Sequence, residues 1–301
     1  MHWHTKAVVH NIISYLPLFS GFHYTMQRRI TGTLPQSAAK ALERITLYKR
    51  HIELLTRYAQ PRLESMVFYE FGAGWDLMGP LTFSAMGVSR QIVTDLNPLL
   101  RVELLNDSIR KLFTLCCDCV RRPGAFIECN RDRGKRSLKA LYGIDYMAPC
   151  DARSTGLASS SVDCITSTNT LEHIPEADIP AILAESQRIL RVGGLASLRI
   201  DYQDHFSYFD RSISVYNFLK YSDLEWKIWS PPSHYQNRLR HPDYKRLIAA
   251  GGFELLVEQP EPPTEEDLKS LWDIRLARRF RCYDLRDLGV RSSFFVARKT
   301  A

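Results

Sequence analysis

"MVFYEFGAGWDL", Met66 to Leu77, runs from an apolar stretch into an acid and then into a glycine-rich turn. Val67–Phe71 is apolar and aromatic over the length of a buried strand. Gly72 and Gly74 mark a turn at which another group can approach the backbone closely. Open α/β sheets place ligands beyond the carboxyl ends of their strands. A helix after the turn would offer free N–H groups to an anion. The stretch therefore predicts a strand–turn–helix unit with a ligand at the turn and the Glu70 carboxylate just in front of it.

Working outward, short apolar runs alternate with helical patterns. Gln91–Thr94 precedes Asp95, and "VDCITS" (162–167), "LASLRI" (195–200), "FELLVE" (253–258) and "SSFFVA" (292–297) read as further strands. Residues 37–59, 97–115 and 176–191 have helical spacing. Such alternation predicts a doubly wound, mostly parallel α/β sheet, with the last two strands as an antiparallel edge pair. Residues 1–60 read as an N-terminal helical region or lid, and 61–301 as the main domain. Within it, 201–245 breaks the alternation as an aromatic, polar insertion over the carboxyl edge of the sheet.

The 301 residues suffice for one large domain or two modest ones, and 45% hydrophobic content supports a real core. No run approaches the roughly 18–20 apolar residues of a membrane-spanning helix. The apolar middle of residues 1–24 contains His10, Asn11 and Pro17 without a clear cleavage site, so it reads as a helix packed over the domain or touching a membrane surface rather than a leader. Seven cysteines cannot all pair internally, which favours a reduced, cytoplasmic protein. The cluster Cys116, Cys117 and Cys119 is too tight for zinc-ribbon spacing. No H-x3-H or H-E-x-x-H pattern occurs either, so no metal is expected. A net charge of +7 favours anionic partners in general.

A dinucleotide is the first candidate for the turn. Its fingerprint, however, requires a small residue where Leu77 stands, and Asp76 puts negative charge where a pyrophosphate would lie. A zwitterion that is cationic near Glu70 fits better. S-adenosylmethionine (SAM) is one: Glu70 takes its amino-acid end, the Gly72–Gly74 backbone its carboxylate and ribose, Asp95 the ribose hydroxyls and Asp151 the adenine amino group.

Taken together, Glu70-Phe71-Gly72-Ala73-Gly74, Asp95, Asp151-Ala152, "SVDCITSTNTLEHI" (161–174) and "ILRVGG" (189–194) resemble the class I SAM-dependent methyltransferases, in their small-molecule, methyltransferase-11-like type. The resemblance covers residues 60–258. It implies a Rossmann-like seven-stranded sheet of order 3-2-1-4-5-7-6. It also implies cofactor contacts at Glu70, Gly72, Ala73, Gly74, Asp95, Leu96, Asp151, Ala152 and Thr168.

Methyl transfer to a hydroxyl needs positioning and a base. His205, with Asp204 to orient it, and His173 are the candidates. Tyr202, Tyr208, Arg238 and Arg240 are candidate acceptor contacts, the rings for stacking on a sugar face and the arginines for an anionic group. The aromatic insertion and the N-terminal helices resemble methyltransferases of bacterial surface-polysaccharide synthesis, which implies a small-molecule or glycan acceptor, nucleotide- or lipid-linked, and O-methylation of a sugar. Alternatives are an RNA or nucleic-acid methyltransferase, a non-catalytic SAM-binding scaffold and a dehydrogenase. Against the nucleic-acid reading, Thr168-Asn169-Thr170 stands where an Asn-Pro-Pro-Tyr type of motif would lie, and Pro149-Cys150 sits on the wrong loop for carbon-5 attack.

Overall fold

In the computed structural model, residues 2–14, 34–59, 62–116 and 131–300 are described. Seven strands form one sheet of order β3-β2-β1-β4-β5-β7-β6. They are β1 (Val67–Phe71), β2 (Arg90–Thr94), β3 (Ile144–Met147), β4 (Val162–Thr168), β5 (Leu190–Asp201), β6 (Phe253–Pro260) and β7 (Ser292–Lys299). The pairs from β3 to β5 are parallel, while β7 runs antiparallel to both β5 and β6. The predicted order and edge pair are both present. All five residues of β1 are buried, as expected of a central strand covered on both faces.

Helices α1 (Trp3–Ser14), α2 (Ala38–Thr56), α3 (Met78–Ala85), α4 (Val102–Leu115), α5 (Arg131–Tyr142), α6 (Ile179–Ile189), α7 (Asp223–Trp229), α8 (His241–Ala250), α9 (Glu265–Trp272) and α10 (Leu285–Gly289) surround the sheet. Ser37 caps α2 by accepting from the Lys40 amide, which fixes its start. The pattern over 97–115 becomes helix only at Val102. Before it, Asp95 accepts from the Asn97 amide, and Pro98 follows in a turn.

Two large cores line the two faces of the sheet, and a third lies at its carboxyl edge. That third core divides the N-terminal region. Ala41, Ile45 and Ile52 of α2 belong to a core under the sheet, whereas Trp3 and Ala7 of α1 pack with Phe206, Phe218 and Trp226 of the insertion. The segment between β6 and β7 carries α9 and α10, and its Leu271, Phe280 and Leu288 complete the same core. The cap over the sheet edge is thus built from three stretches of chain, one more than the N-terminal lid and the insertion expected from sequence. The far end of the insertion also differs, because α8 continues past residue 245 to Ala250. Among the described residues no helix is long and apolar enough to cross a membrane.

Cys117 and Cys119 lie outside the described residues. Cys116 is buried and disulfide-bonded, against the fully reduced reading, while Cys150, Cys164 and Cys282 are free.

Candidate active site

A cleft of about 380 Å³ opens at the carboxyl ends of β1, β2, β3 and β4. Its first wall is the glycine turn. Both Gly72 and Gly74 have positive φ, at 82° and 69°, so only residues without a side chain sit there unstrained. A Cβ at Gly72 would come within 2.3 Å of the Thr170 hydroxyl, whereas one at Gly74 would meet no atom within 4 Å and would project into free space. The turn thus leaves room for a ligand on one side and locks against the β4 loop on the other.

Asp95 ends β2 in the same cleft. Its two carboxylate oxygens accept from the Gly74 amide at 2.9 Å and the Asn97 amide at 3.0 Å, so the acid is held by the turn itself. Burial raises its pKa, and those amides only partly offset the effect. Vicinal hydroxyls would supply the further donors that a buried carboxylate favours. Leu96, Leu99, Ile174, Pro175 and Ile182 give the cleft an apolar side, and Leu96 is 62% exposed there. A flat heteroaromatic ring covers such a surface. Asp151 and Ala152 lie on the same rim. Asp151 is also gripped by Arg153, which holds its carboxyl below the ordinary value and reaches across to Asp178. The Asp151 lone pairs are therefore already engaged by an arginine.

Glu70 lies beneath the turn, 4% exposed, and is absent from the cleft wall. Its Oε2 accepts from the Thr166 hydroxyl at 3.2 Å, and burial pushes its pKa up to about 8. Ala73 is buried on the inner side of the turn. Thr168 also misses the cleft. Its hydroxyl bonds His51 Nε2 at 3.0 Å, and the next residues, Asn169 and Thr170, line the wall instead. Asp76 is paired at 2.5 Å with Arg44 of α2, so the charge that argued against a pyrophosphate is neutralised from 32 residues away.

At the β4 side, His173 lines the cleft. Its Nδ1 lies 2.8 Å from the Tyr235 carbonyl, to which it can only donate, leaving the lone pair on Nε2. His205 stands behind it, with ring centroids 4.8 Å apart, and does not line the cleft. The acid beside His205 is Asp201, 3.5 Å from Nε2. Asp201 also accepts from the Tyr208 hydroxyl. Burial alone would raise its pKa, but His205, Tyr208 and Arg199 hold it well below the usual range. Asp204, expected to orient His205, instead caps the turn Asp204–Phe206 and accepts from Asn217 Nδ2 at 3.0 Å. It is fully buried, which raises its pKa to about 6. An acid immediately before a helical turn reads alike as a cap or as an orienting group, and only the fold separates the two.

Three of the four candidate acceptor contacts belong to the scaffold. Arg240 is fully buried and donates to the carbonyls of Tyr202, Leu288 and Val290. Arg238 bonds the Phe218 and Tyr221 carbonyls and Asp223. Tyr202 is 2% exposed and bonds Ser293. Tyr208 is 53% exposed, with its ring 5.3 Å from that of His205. Cys150 lines the cleft, but burial and then Asp151 push its thiol up, away from the thiolate that carbon-5 attack requires.

A glycine turn and an acid at the carboxyl edge of a 3-2-1-4-5-7-6 sheet define a Rossmann-like fold with a cleft where such sheets hold their ligands. The family model described as a methyltransferase domain matches residues 119–198, which span the third to fifth strands and the β4 loop. Over those residues the chain is similar to the methyltransferase domain family, and its sheet order agrees with that likeness. No curated protein sequence matches it. Among solved structures it is similar to the YcgJ protein of Bacillus subtilis, at 15% identity over 84% of this chain and 99% of that one, with a TM-score of 0.44. A SAM-dependent methyltransferase of Methanosarcina mazei has 16% identity over 82% and 97% of the two chains, with a TM-score of 0.43. The cyclase SpnF has 12% identity over 84% and 82%, with a TM-score of 0.49.

Proposed function

We propose that this enzyme moves the methyl group of SAM to a hydroxyl of a small molecule or glycan, with a sugar as acceptor. The cofactor supplies an already activated methyl, so the protein's tasks are positioning, exclusion of water and removal of one proton. The observation that carries the reading is His173. It is the imidazole in the cleft wall, and its carbonyl-bound Nδ1 leaves Nε2 as a proton acceptor. Burial and then the neighbouring His205 push the His173 pKa down to about 4, so the ring is neutral and able to accept a proton at pH 7, while Asp201 favours the charge that follows. The exposed Tyr208 ring beside His205 offers a face to a sugar, supporting the choice of acceptor. Residency in the cytoplasm, where SAM is available, belongs to the same proposal, as does an anionic, nucleotide- or lipid-linked form of the acceptor.

Calorimetry with S-adenosylhomocysteine and with NADH tests the cofactor half, with heat expected only for the former. Transfer of labelled methyl to a panel of nucleotide sugars and glycolipids tests the acceptor half. Labelling of RNA at a rate above every sugar would replace the glycan reading.

A further inference from the structure

Two short helical turns, one after β4 and one after β5, bring together three groups with metal-ligating chemistry. Glu172, His173 and His205 each offer a ligand atom within 4.8 Å of the others. Glu172 is 2% exposed, and neither of its carboxylate oxygens has a hydrogen-bond partner. His205 is 8% exposed, and its Nε2 has no hydrogen-bond partner, its nearest acid being Asp201 at 3.5 Å. Folded proteins rarely leave such groups unmatched, because a buried carboxylate without partners is costly. The nearby charges do not resolve this. The one side-chain hydrogen bond of Arg199 goes to Asn169 and not to Glu172.

We propose that Glu172, His173 and His205 bind a divalent transition-metal ion of the zinc class at the acceptor end of the cleft. Two imidazoles and one carboxylate form a donor set that holds Zn²⁺ while leaving a coordination position open. Ligands about 2.0–2.1 Å from such an ion sit about 3.3 Å apart, so small side-chain rotations close the present gaps. His173 is also a cleft residue, which puts the open position where an acceptor enters. The site was invisible to motif reading because its ligands come from two turns more than 30 residues apart.

The ion's chemical role rests on the hydroxyl-methylation reading and deepens it: the imidazoles act on the acceptor through an ion they hold, rather than as free bases. A cation there lowers the pKa of the acceptor hydroxyl. The hydroxyl proton leaves to solvent, the oxygen pair forms the new O–C bond, and the C–S bonding pair stays on sulfur.

The test uses the full chain, stripped with chelator and titrated with Zn²⁺ in a calorimeter, with S-adenosylhomocysteine titrated into the same protein. One zinc per chain is expected, with Glu172→Gln weakening it at least about tenfold and His205→Ala abolishing it. S-adenosylhomocysteine binding should be unchanged in both variants, which shows that they are folded. Co²⁺ in place of zinc should give d–d bands without thiolate charge transfer. No zinc heat, zinc binding indifferent to both substitutions, or a thiolate band from cysteine ligation would each overturn the site. Absence of S-adenosylhomocysteine binding by the wild type would instead sink the cofactor reading, independently of the zinc result.

Discussion

At the β1–β2 end of the cleft the ligand-facing groups are backbone amides, one carboxylate and a few apolar side chains, all within residues 70–99. At the β4 end they include one imidazole, His173, and one acid, Asp178, and behind His173 stand His205 and Asp201, beside a cap assembled from α1, the insertion and the β6–β7 segment. The first end is fixed by local geometry: two glycines with positive φ and an acid bonded back to one of them. The second is fixed by long-range polar contacts, with Arg240 tying Tyr202 at the end of β5 to Leu288 and Val290. Damage to the two ends should consequently be read by different measurements.

The largest effect is expected from Arg240→Ala. Three buried carbonyls lose their donor, at about 1–3 kcal/mol each, so the fold should lose at least about 3 kcal/mol. Chemical denaturation measures this, while affinity for S-adenosylhomocysteine in the folded protein should hold. A loss of affinity without loss of stability would move Arg240 back to a ligand-binding role and erase the contrast between the ends. Gly72→Ala should do the opposite. Its Cβ would collide with Thr170 at 2.3 Å, and φ of 82° is strained for alanine, so cofactor affinity should fall by about 2–3 kcal/mol. Adding Thr170→Ala removes the closest clash and should restore part of the affinity; a strictly additive pair would show that the two residues do not meet.

Asp95→Ala is expected to come next. Loss of this carboxylate should weaken SAM by about 1–3 kcal/mol, roughly fivefold to 150-fold, as measured by calorimetry. Unchanged binding would remove Asp95 from the ribose role. The effect should be smaller for adenine-free fragments of the cofactor that lack the ribose, which sharpens the assignment.

The same contrast explains what could be read from the chain. Val67–Phe71 is strand as expected, and Gly72, Gly74, Asp95, Asp151 and Ala152 all reach the cleft, because apolar periodicity and turn chemistry act within a few residues. Thr168 was off by one position: the β4 turn presents Asn169, at φ of 52°, and Thr170 instead. The polar partners were hidden because they are far apart in sequence. Nothing around Asp76 signals Arg44, and nothing around His51 signals Ser197, 146 residues away at 2.7 Å. Arg238 and Arg240 looked like an anion clamp because a buried guanidinium holding carbonyls and an exposed one holding a phosphate have the same sequence signature.

The smallest effect concerns Glu70, and it distinguishes a residue beneath the turn from one merely near it. With its pKa raised by burial to about 8, Glu70 is mostly protonated at pH 7 before any ligand arrives. The sign for stability follows: the folded pKa exceeds the ordinary value of 4.5, so this contribution is complete below 4.5 and is lost as pH rises through about 8. A ligand ammonium placed over the turn favours the carboxylate, so binding should release up to one proton near pH 7. Affinity should then climb with pH, by at most about one decade per unit, and level off above about 8. Titrations in buffers of different ionisation enthalpy count the proton, and Glu70→Gln separates it from the ligand's own amine. Equal proton release by wild type and Glu70→Gln would mean that the cofactor's charge never reaches Glu70. The acid would then serve only the strand end, through its bond to Thr166.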